Sequence, residues 1–196
     1  MIADGNPERS YLRWELSRVF KVTDSPIDRD IQQGVCYVTG SLAVPNVQIF
    51  NGPNQTKTEL IDFPIHDLPI DLNRELGEGY YFTAVQETIS PTTHDYWSNV
   101  KEVIEREGDI FAAPAGKVIT NFKNINDPSE EVFGYFYAAT QDTARFFITP
   151  EFAGNQPSRC PSEGLVNPDG SCGDALCCDC ETVENSSEQK PHFWDR

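Results

Sequence analysis

Hydrophobic and polar residues alternate with a period of two in a segment near the start of the chain. Between Leu12 and Val22 the even positions are apolar except Arg18, and Arg13 and Glu15 fall on the opposite face. Such alternation is typical of a β-strand with one buried face. Short runs rich in β-branched or aromatic residues, with turn signals between most of them, predict further strands over residues 35–39, 47–50, 57–63, 80–89, 117–122, 132–139 and 144–148. The last two form a predicted hairpin with its turn at residues 140–143.

One segment has the pattern of an α-helix, over about residues 91–107. Ser90 can cap its first turn, Pro91 suits the first helical position, and Gly108 is placed to end it. Many short strands with turns between them and a single helix are typical of an antiparallel fold. We therefore predict a mainly-β, antiparallel β-sandwich-like domain.

The composition changes after Pro150. Residues 151–196 are rich in Gly, Pro, Ser, Asp and Cys, which favours irregular structure without a core of its own. We therefore predict two parts, a mainly-β domain over residues 1–150 and a disulfide-rich C-terminal appendage over residues 151–196.

The six cysteines are candidates for disulfide bonds. An even number of cysteines, most of them in a loop-rich segment, indicates an oxidising compartment. Since five lie in the tail, full pairing requires one of them to join the sixth, which lies on a predicted strand. Such a long-range bridge is worth about 4 to 5 kcal/mol in the chain-entropy model. The sequence leaves the pairing open among the candidates Cys36, Cys160, Cys172, Cys177, Cys178 and Cys180.

A metal or iron–sulfur protein is an alternative interpretation of the cysteines. Cys172, Cys177 and Cys180 have the C-x4-C-x2-C spacing of plant-type iron–sulfur proteins. The fourth ligand would lie further downstream, and no cysteine follows Cys180. We favour disulfides and expect no metal site and no cofactor.

Charge and motifs limit the classes of function. The chain has 31 acidic and 15 basic residues. The resulting net charge of −16 disfavours binding to nucleic acid or to anionic lipid. No apolar run is long enough to span a membrane, and the first residues lack the pattern of an export signal. We find no nucleophile elbow, phosphate-binding loop or metalloprotease motif, so we expect no enzyme and name no catalytic residue.

Several segments together resemble a Bacteroidota envelope family catalogued as domain of unknown function 4249. Their order and spacing carry the likeness, since no single segment is specific. They are Tyr11-Leu12-Arg13-Trp14, Val35-Cys36-Tyr37, Gly108-Asp109-Ile110-Phe111 with Pro114 to Asn121, Val132-Phe133-Gly134-Tyr135-Phe136, Cys177-Cys178-Asp179-Cys180 and Lys190-Pro191-His192-Phe193-Trp194.

This resemblance implies a non-enzymatic lipoprotein of the outer membrane, often encoded beside a TonB-dependent transporter. We therefore predict an extracytoplasmic accessory or binding module whose partner is an outer-membrane transporter or its cargo. The family usually begins with a lipoprotein signal and a further β domain, neither of which is in the given sequence, so the likeness does not imply anchoring of this chain. In the same bacteria Asp142-Thr143-Ala144 resembles an O-glycan acceptor, which makes Thr143 a candidate glycosylation site on the predicted turn.

A glycan- or peptide-binding surface domain is the other alternative. Exposed aromatic side chains commonly stack on sugars, and the chain contains three tryptophans. Trp14 and Trp97 lie at predicted core positions, which leaves Trp194 as the candidate platform. The ligand and the oligomeric state do not follow from the sequence.

Overall fold

The computed structural model describes residues 10–26, 32–42, 47–54, 63–106, 118, 120–161 and 166–194. Within them the main elements are six strands, the principal helix α1 and a one-turn helix α2. The strands are β1 (Tyr11–Thr23), β2 (Val35–Ser41), β3 (Gln48–Asn51), β4 (Tyr80–Ile89), β5 (Thr140–Ile148) and β6 (Ser186–Ser187), and the helices are α1 (Pro91–Arg106) and α2 (Ala175–Cys178). The predicted mainly-β class with one principal helix is confirmed.

All six described strands belong to one antiparallel sheet with the order β5-β4-β1-β2-β6. On the edge away from β4, the long strand β1 has two partners in succession: its beginning, Tyr11 to Trp14, pairs with β3, and its later part, Ser17 to Thr23, pairs with β2. The prediction was an antiparallel, β-sandwich-like domain, and the described strands form a single antiparallel sheet.

The chain divides into two compact units that interleave along the sequence. The first takes its described residues from the segments Met1–Glu15, Ala43–His66 and Ala84–Ala144, and the second from Leu16–Leu42, Asp67–Thr83 and Arg145–Arg196. The tail beyond Pro150 thus belongs to the same unit as most of β1 and all of β2. The division predicted at residue 150 stays a prediction.

Helix α1 begins where the sequence predicts. The Ser90 hydroxyl accepts a hydrogen bond from the backbone N–H of Thr93 at 3.2 Å, which satisfies one of the free donors of the first turn. Thr93 and His94 are buried, whereas Tyr96 and Trp97 are half-buried. The described helix runs from Pro91 to Arg106, and the predicted end at residue 107 lies outside the described residues.

The predicted hairpin over residues 132–148 is wrong. Thr140 to Thr143, the expected turn, form the first residues of β5, and residues 132–139 form no strand. Residues 118 and 120–122 also form no strand. Phe63 is the only described residue of the strand predicted over 57–63. Gly108, which was predicted to end the helix, also lies outside the described residues.

The core of the second unit combines the sheet with the tail. Phe20 and Val22 of β1 and Tyr80 of β4 lie in one buried cluster with Cys160 and Cys177. A second cluster joins Val19, Tyr81 and Trp194. The tail thus shares its buried surface with the strands, which fits its lack of an apolar run of its own.

Gly77 marks a close approach of the tail to the chain just before β4. A Cβ atom at this position would lie 2.5 Å from the Pro157 carbonyl oxygen, so a larger residue does not fit without displacement of the backbone. Glycine therefore permits this packing.

Arg18 is the polar exception on the apolar face of β1. Its Nη2 donates to Glu75 Oε1 at 3.1 Å, and Gly40 packs against the guanidinium. Burial raises the pKa of the neighbouring Tyr80 to about 12, so its phenol stays protonated. The ion pair explains how a charged residue is tolerated on this face.

Candidate functional site

Three disulfides join all six cysteines. Cys36 of β2 is bonded to Cys180, across 144 residues of sequence, and Cys160 is bonded to Cys177. The third bond joins Cys172 to Cys178. The neighbours Cys177 and Cys178 therefore belong to different disulfides, and the structure shows the predicted link between the strand and the tail.

The three disulfides differ in burial. The sulfur bridges Cys36–Cys180 and Cys160–Cys177 lie in the core of the second unit, whereas Cys172 and Cys178 are both half-exposed. An iron–sulfur cluster requires thiolate ligands, and here every cysteine sulfur is part of a disulfide. This arrangement removes the ligands on which that alternative depended.

Backbone hydrogen bonds also hold the tail to the residues after β1. The buried Asp24 carboxylate accepts hydrogen bonds from the N–H of Gly34 at 2.7 Å and from the N–H of Cys180 at 3.3 Å. The Ser25 N–H donates to the Cys177 carbonyl oxygen at 2.7 Å. Asp24 thus satisfies two backbone donors beside the Cys36–Cys180 bond.

An acidic cavity of about 600 Å³ opens beside Cys178. Its described lining includes four carboxylates and contains no lysine or arginine: Asp24, Pro26, Gln32, Gln33, Gly34, Val35, Cys178, Asp179, Glu181 and Glu188. A hydrogen bond with Glu188 raises the pKa of Glu181, which shows how close these two carboxyl groups lie. The cavity therefore has a negative potential.

In the first unit a buried ion pair lies beneath aromatic side chains. Arg13 Nη1 donates to Glu87 Oε2 at 2.6 Å, and Glu87 also accepts from the Tyr137 hydroxyl at 2.9 Å and from Gln141 Nε2 at 2.8 Å. Burial opposes the charge on Glu87, but the hydrogen bonds from Gln141, Arg13 and Tyr137 outweigh it and lower its pKa. Every oxygen of this buried carboxylate therefore has a partner.

Aromatic rings from α1 and from the segment before β5 surround this ion pair. The Arg13 guanidinium carbon lies 4.0 Å from the centre of the Trp97 ring, a cation–π contact. Tyr96 stacks on Tyr135 with ring centres 4.6 Å apart. Since these rings are only half-buried, they give the first unit an aromatic surface above a fixed charged pair.

Four large apolar side chains of the same unit are exposed: Phe122, Ile125, Phe133 and Phe136, with exposed fractions between 44% and 91%. We call these four residues the apolar face. Val118, Val132 and neighbouring polar residues complete a depression of about 660 Å³ that includes three of the four. A cluster of exposed apolar side chains of this kind marks a contact surface more often than isolated ones do.

Side-chain hydrogen bonds fix the backbone of the apolar face. Asn121 donates from Nδ2 to the Phe136 carbonyl oxygen at 2.6 Å and accepts from the Phe136 N–H at 2.8 Å, as a neighbouring strand would. In the segment between Asn121 and Phe136, Asn124 Oδ1 accepts hydrogen bonds from the backbone N–H groups of Asn126 and Asp127. The exposed rings are therefore held on an ordered segment.

The rim of the apolar face is acidic. Glu130 and Glu131 line the depression with a single described cation, Lys123, and Asp127 directly precedes the lining residue Pro128 in the chain. Hydrogen bonds from the hydroxyl and N–H of Ser129 lower the pKa of Asp127, so its carboxylate stays charged. The face thus combines exposed rings with a net negative rim.

Two residues that the sequence singled out have a different setting in the structure. Trp194 is 2% exposed and packs against Tyr37 and Tyr81, so it is not a platform for sugar stacking. Thr143 is exposed, as expected, but lies within β5 rather than on a hairpin turn. Its glycosylation stays a prediction.

Sequence reasoning missed Arg13 and Glu87. Arg13 occupies the polar face of the β1 pattern, and such residues are ordinarily solvated. The one available signal was the stripe of aromatic residues on α1, because such a stripe normally packs against another part of the protein.

Comparison with known families assigns the chain to one of them. The family model described as "Domain of unknown function (DUF4249)" matches residues 2–145, and the chain belongs to this family. The tail, with five of the six cysteines, lies beyond the matched region, so the likeness seen there is not part of the match. No curated protein and no solved structure was found to match. Among the described helices, none has the length and apolar character needed to cross a membrane.

Proposed function

We propose that this protein is a non-enzymatic accessory module of the cell envelope that binds a partner protein through its apolar face. The partner that the family resemblance favours is a TonB-dependent outer-membrane transporter or its cargo. The single observation that carries the proposal is the exposure of Phe133 and Phe136, at 84% and 74%, on a braced segment.

The exposure of these rings carries weight because the backbone beneath them is ordered. Exposed phenylalanine in a loose loop would lose much conformational freedom on binding, whereas the bracing by Asn121 removes part of that cost. Interfaces are also enriched in aromatic residues that fill pockets on the partner. The apolar face has both properties.

Charge supports a specific kind of partner surface. The acidic rim and the net charge of −16 disfavour binding to another acidic surface. A complementary partner offers apolar side chains flanked by lysine or arginine. Interfaces with such complementary charges also associate faster at low ionic strength.

The disulfides support a place outside the cytosol. Bridges of this kind persist in oxidising compartments, and two of the three here lie in the core of the second unit. Location at the outer membrane or cell surface, and attachment to a transporter, rest on the family resemblance.

Affinity capture from envelopes of the native host tests the proposal. The double variant Phe133→Ser/Phe136→Ser removes the two most exposed aromatic rings of the apolar face. Phe152→Ser, at an exposed phenylalanine of the tail, is the matched control because it makes the same chemical change elsewhere. Both changes lie at exposed positions, where stability changes by about 0.5 kcal/mol or less per site.

We expect the wild type and the Phe152 variant to recover the same outer-membrane transporter and the double variant to lose it. Equal recovery by the double variant would show that the apolar face is not the contact surface. Absence of any outer-membrane transporter from the wild-type eluate would contradict the proposed partner.

A further inference from the structure

The Cys172–Cys178 disulfide differs from the other two in three ways. Both of its residues are half-exposed, it closes a loop of only 6 residues in sequence separation, and Cys178 lines the acidic cavity. Cys36, Cys177 and Cys180 are fully buried, and Cys160 is 5% exposed. Only this bond therefore joins two cysteines that are both incompletely buried, one of which lies in the wall of an open cavity.

Access decides which disulfide exchanges, because a thiolate must approach the sulfur it attacks. The open approach leads to Cys178, since Cys178 and not Cys172 is part of the cavity wall. Attack there forms a bond between the incoming sulfur and Cys178 Sγ and breaks the bond to Cys172, which leaves as a thiolate. The reaction is an exchange without net oxidation, and solvent supplies a proton to Cys172.

The cavity also selects the charge of the incoming thiol. Asp24, Asp179, Glu181 and Glu188 surround the approach, and no described lining residue is a lysine or arginine. An anionic thiol is repelled by these carboxylates, whereas an ammonium group beside the reacting sulfur is attracted. The buried Asp24 carboxylate accepts two backbone hydrogen bonds, which fix the position of its oxygens beside the cavity.

We infer that Cys172–Cys178 is a thiol-exchange site that accepts a cationic or neutral thiol at Cys178 and releases Cys172. The class of ligand is a thiol next to positive charge, such as a cysteine in a basic protein segment. The other two bonds keep the fold during this exchange, because the core of the second unit is formed around them.

Kinetics with small thiols test the inference on the full oxidised chain. Cysteamine carries a positive charge, 2-mercaptoethanol is neutral and mercaptoacetate is negative, and they are compared at equal thiolate concentration. Free thiols are alkylated at intervals, and peptide mass spectrometry locates the adduct and the alkylated cysteine. The first product should have the adduct on Cys178 and the alkyl group on Cys172.

We expect cysteamine to react about tenfold faster than mercaptoacetate at low ionic strength, and the ratio should fall towards one at 1 M salt. The variant Glu181→Gln/Glu188→Gln should reduce the ratio at low salt. Glu151→Gln/Glu184→Gln changes the net charge by the same amount at residues outside the cavity lining, and should leave the ratio largely unchanged.

Three results would overturn the inference. The first is initial cleavage of Cys36–Cys180 or Cys160–Cys177. The second is an initial adduct on Cys172, and the third is a rate that does not depend on the charge of the thiol. Cys172→Ser/Cys178→Ser should lose the rapid phase of adduct formation, and persistence of that phase would also contradict the assignment.

Discussion

Replacing Glu87 by glutamine removes the negative charge from the buried pair while keeping nearly the same shape. Arg13 then remains charged and buried without its closest partner, whose Oε2 lies 2.6 Å from Nη1. Loss of one member of a buried pair costs about 3 to 5 kcal/mol. Arg13 keeps Glu15 and the Trp97 ring, and the glutamine oxygen can still accept hydrogen bonds, so we expect about 2 to 3 kcal/mol.

Glu15→Gln is the matched control for this variant. Glu15 Oε1 accepts from the same guanidinium at 2.7 Å, but its side chain is 57% exposed, against 6% for Glu87. An exposed pair contributes at most about 1 kcal/mol. The two variants thus remove the same charge from the same arginine and differ in burial.

Urea unfolding of the oxidised protein, followed by tryptophan fluorescence, measures both variants. With a slope of about 2 kcal/mol per M, the midpoint for Glu87→Gln should fall by about 1 to 1.5 M. The midpoint for Glu15→Gln should fall by less than about 0.5 M. Equal midpoints for the two variants would refute the argument that burial makes Glu87 the important partner.

The pH dependence gives a second test of the same pair. The pKa of Glu87 is lower in the folded state than in the unfolded chain. The stabilising effect of its charge is therefore fully present at pH values above the pKa that Glu87 has in the unfolded chain. That effect disappears as the pH falls through the lowered pKa. The difference in unfolding free energy between the wild type and Glu87→Gln should therefore shrink in acid, and a constant difference down to pH values near 2 would count against the assignment.

Three further predictions concern the tail and the apolar face. Cys36→Ser/Cys180→Ser should lower the unfolding free energy by about 5 kcal/mol in the chain-entropy model, against about 2 kcal/mol for Cys172→Ser/Cys178→Ser, because the closed loops differ greatly in length; urea titration gives both values, and the reverse order would contradict the model. Gly77→Ala should cost about 1 to 3 kcal/mol because its Cβ would meet the Pro157 oxygen, whereas Gly40→Ala meets only ordinary contacts at 3.6 Å or more and should cost less in the same thermal unfolding assay. Asn121→Ala should speed hydrogen exchange at the Phe136 amide by about tenfold or more, while Asn121→Asp, which keeps the acceptor oxygen, should retain most of the protection; unchanged exchange in the alanine variant would show that Asn121 does not brace the apolar face.

The sequence by itself determined the elements whose signals are local. The start of helix α1 at Pro91 was predicted because capping by Ser90 and the place of Pro91 depend only on neighbours in the chain. Strand β1 followed from alternation, and β2 and β4 from runs of β-branched or aromatic residues, which are common in strands. The disulfide-bonded character of the tail followed from composition, because that segment has too few apolar residues to fold around its own core.

Local pattern was misleading where long-range contacts decide the outcome. Residues 132–139 resemble a strand because the segment is rich in aromatic residues: Tyr135 and Tyr137 contact rings of α1, whereas Phe133 and Phe136 are exposed. The Phe136 backbone nevertheless bonds to the side chain of Asn121 rather than to another strand. A run of aromatic residues indicates contact with other side chains, but it does not show which groups form hydrogen bonds with the backbone.

Only the tertiary structure decided the sulfur pairing and the candidate sites. Six cysteines allow 15 pairings, and the spacing along the chain does not say which sulfurs meet in space. Arg13 and Glu87 are 74 residues apart and each looks like an ordinary surface charge until α1 and the segment before β5 cover them. Burial, pairing and cavity shape are properties of contacts between distant segments, and a sequence pattern carries them only when the segments that meet are neighbours.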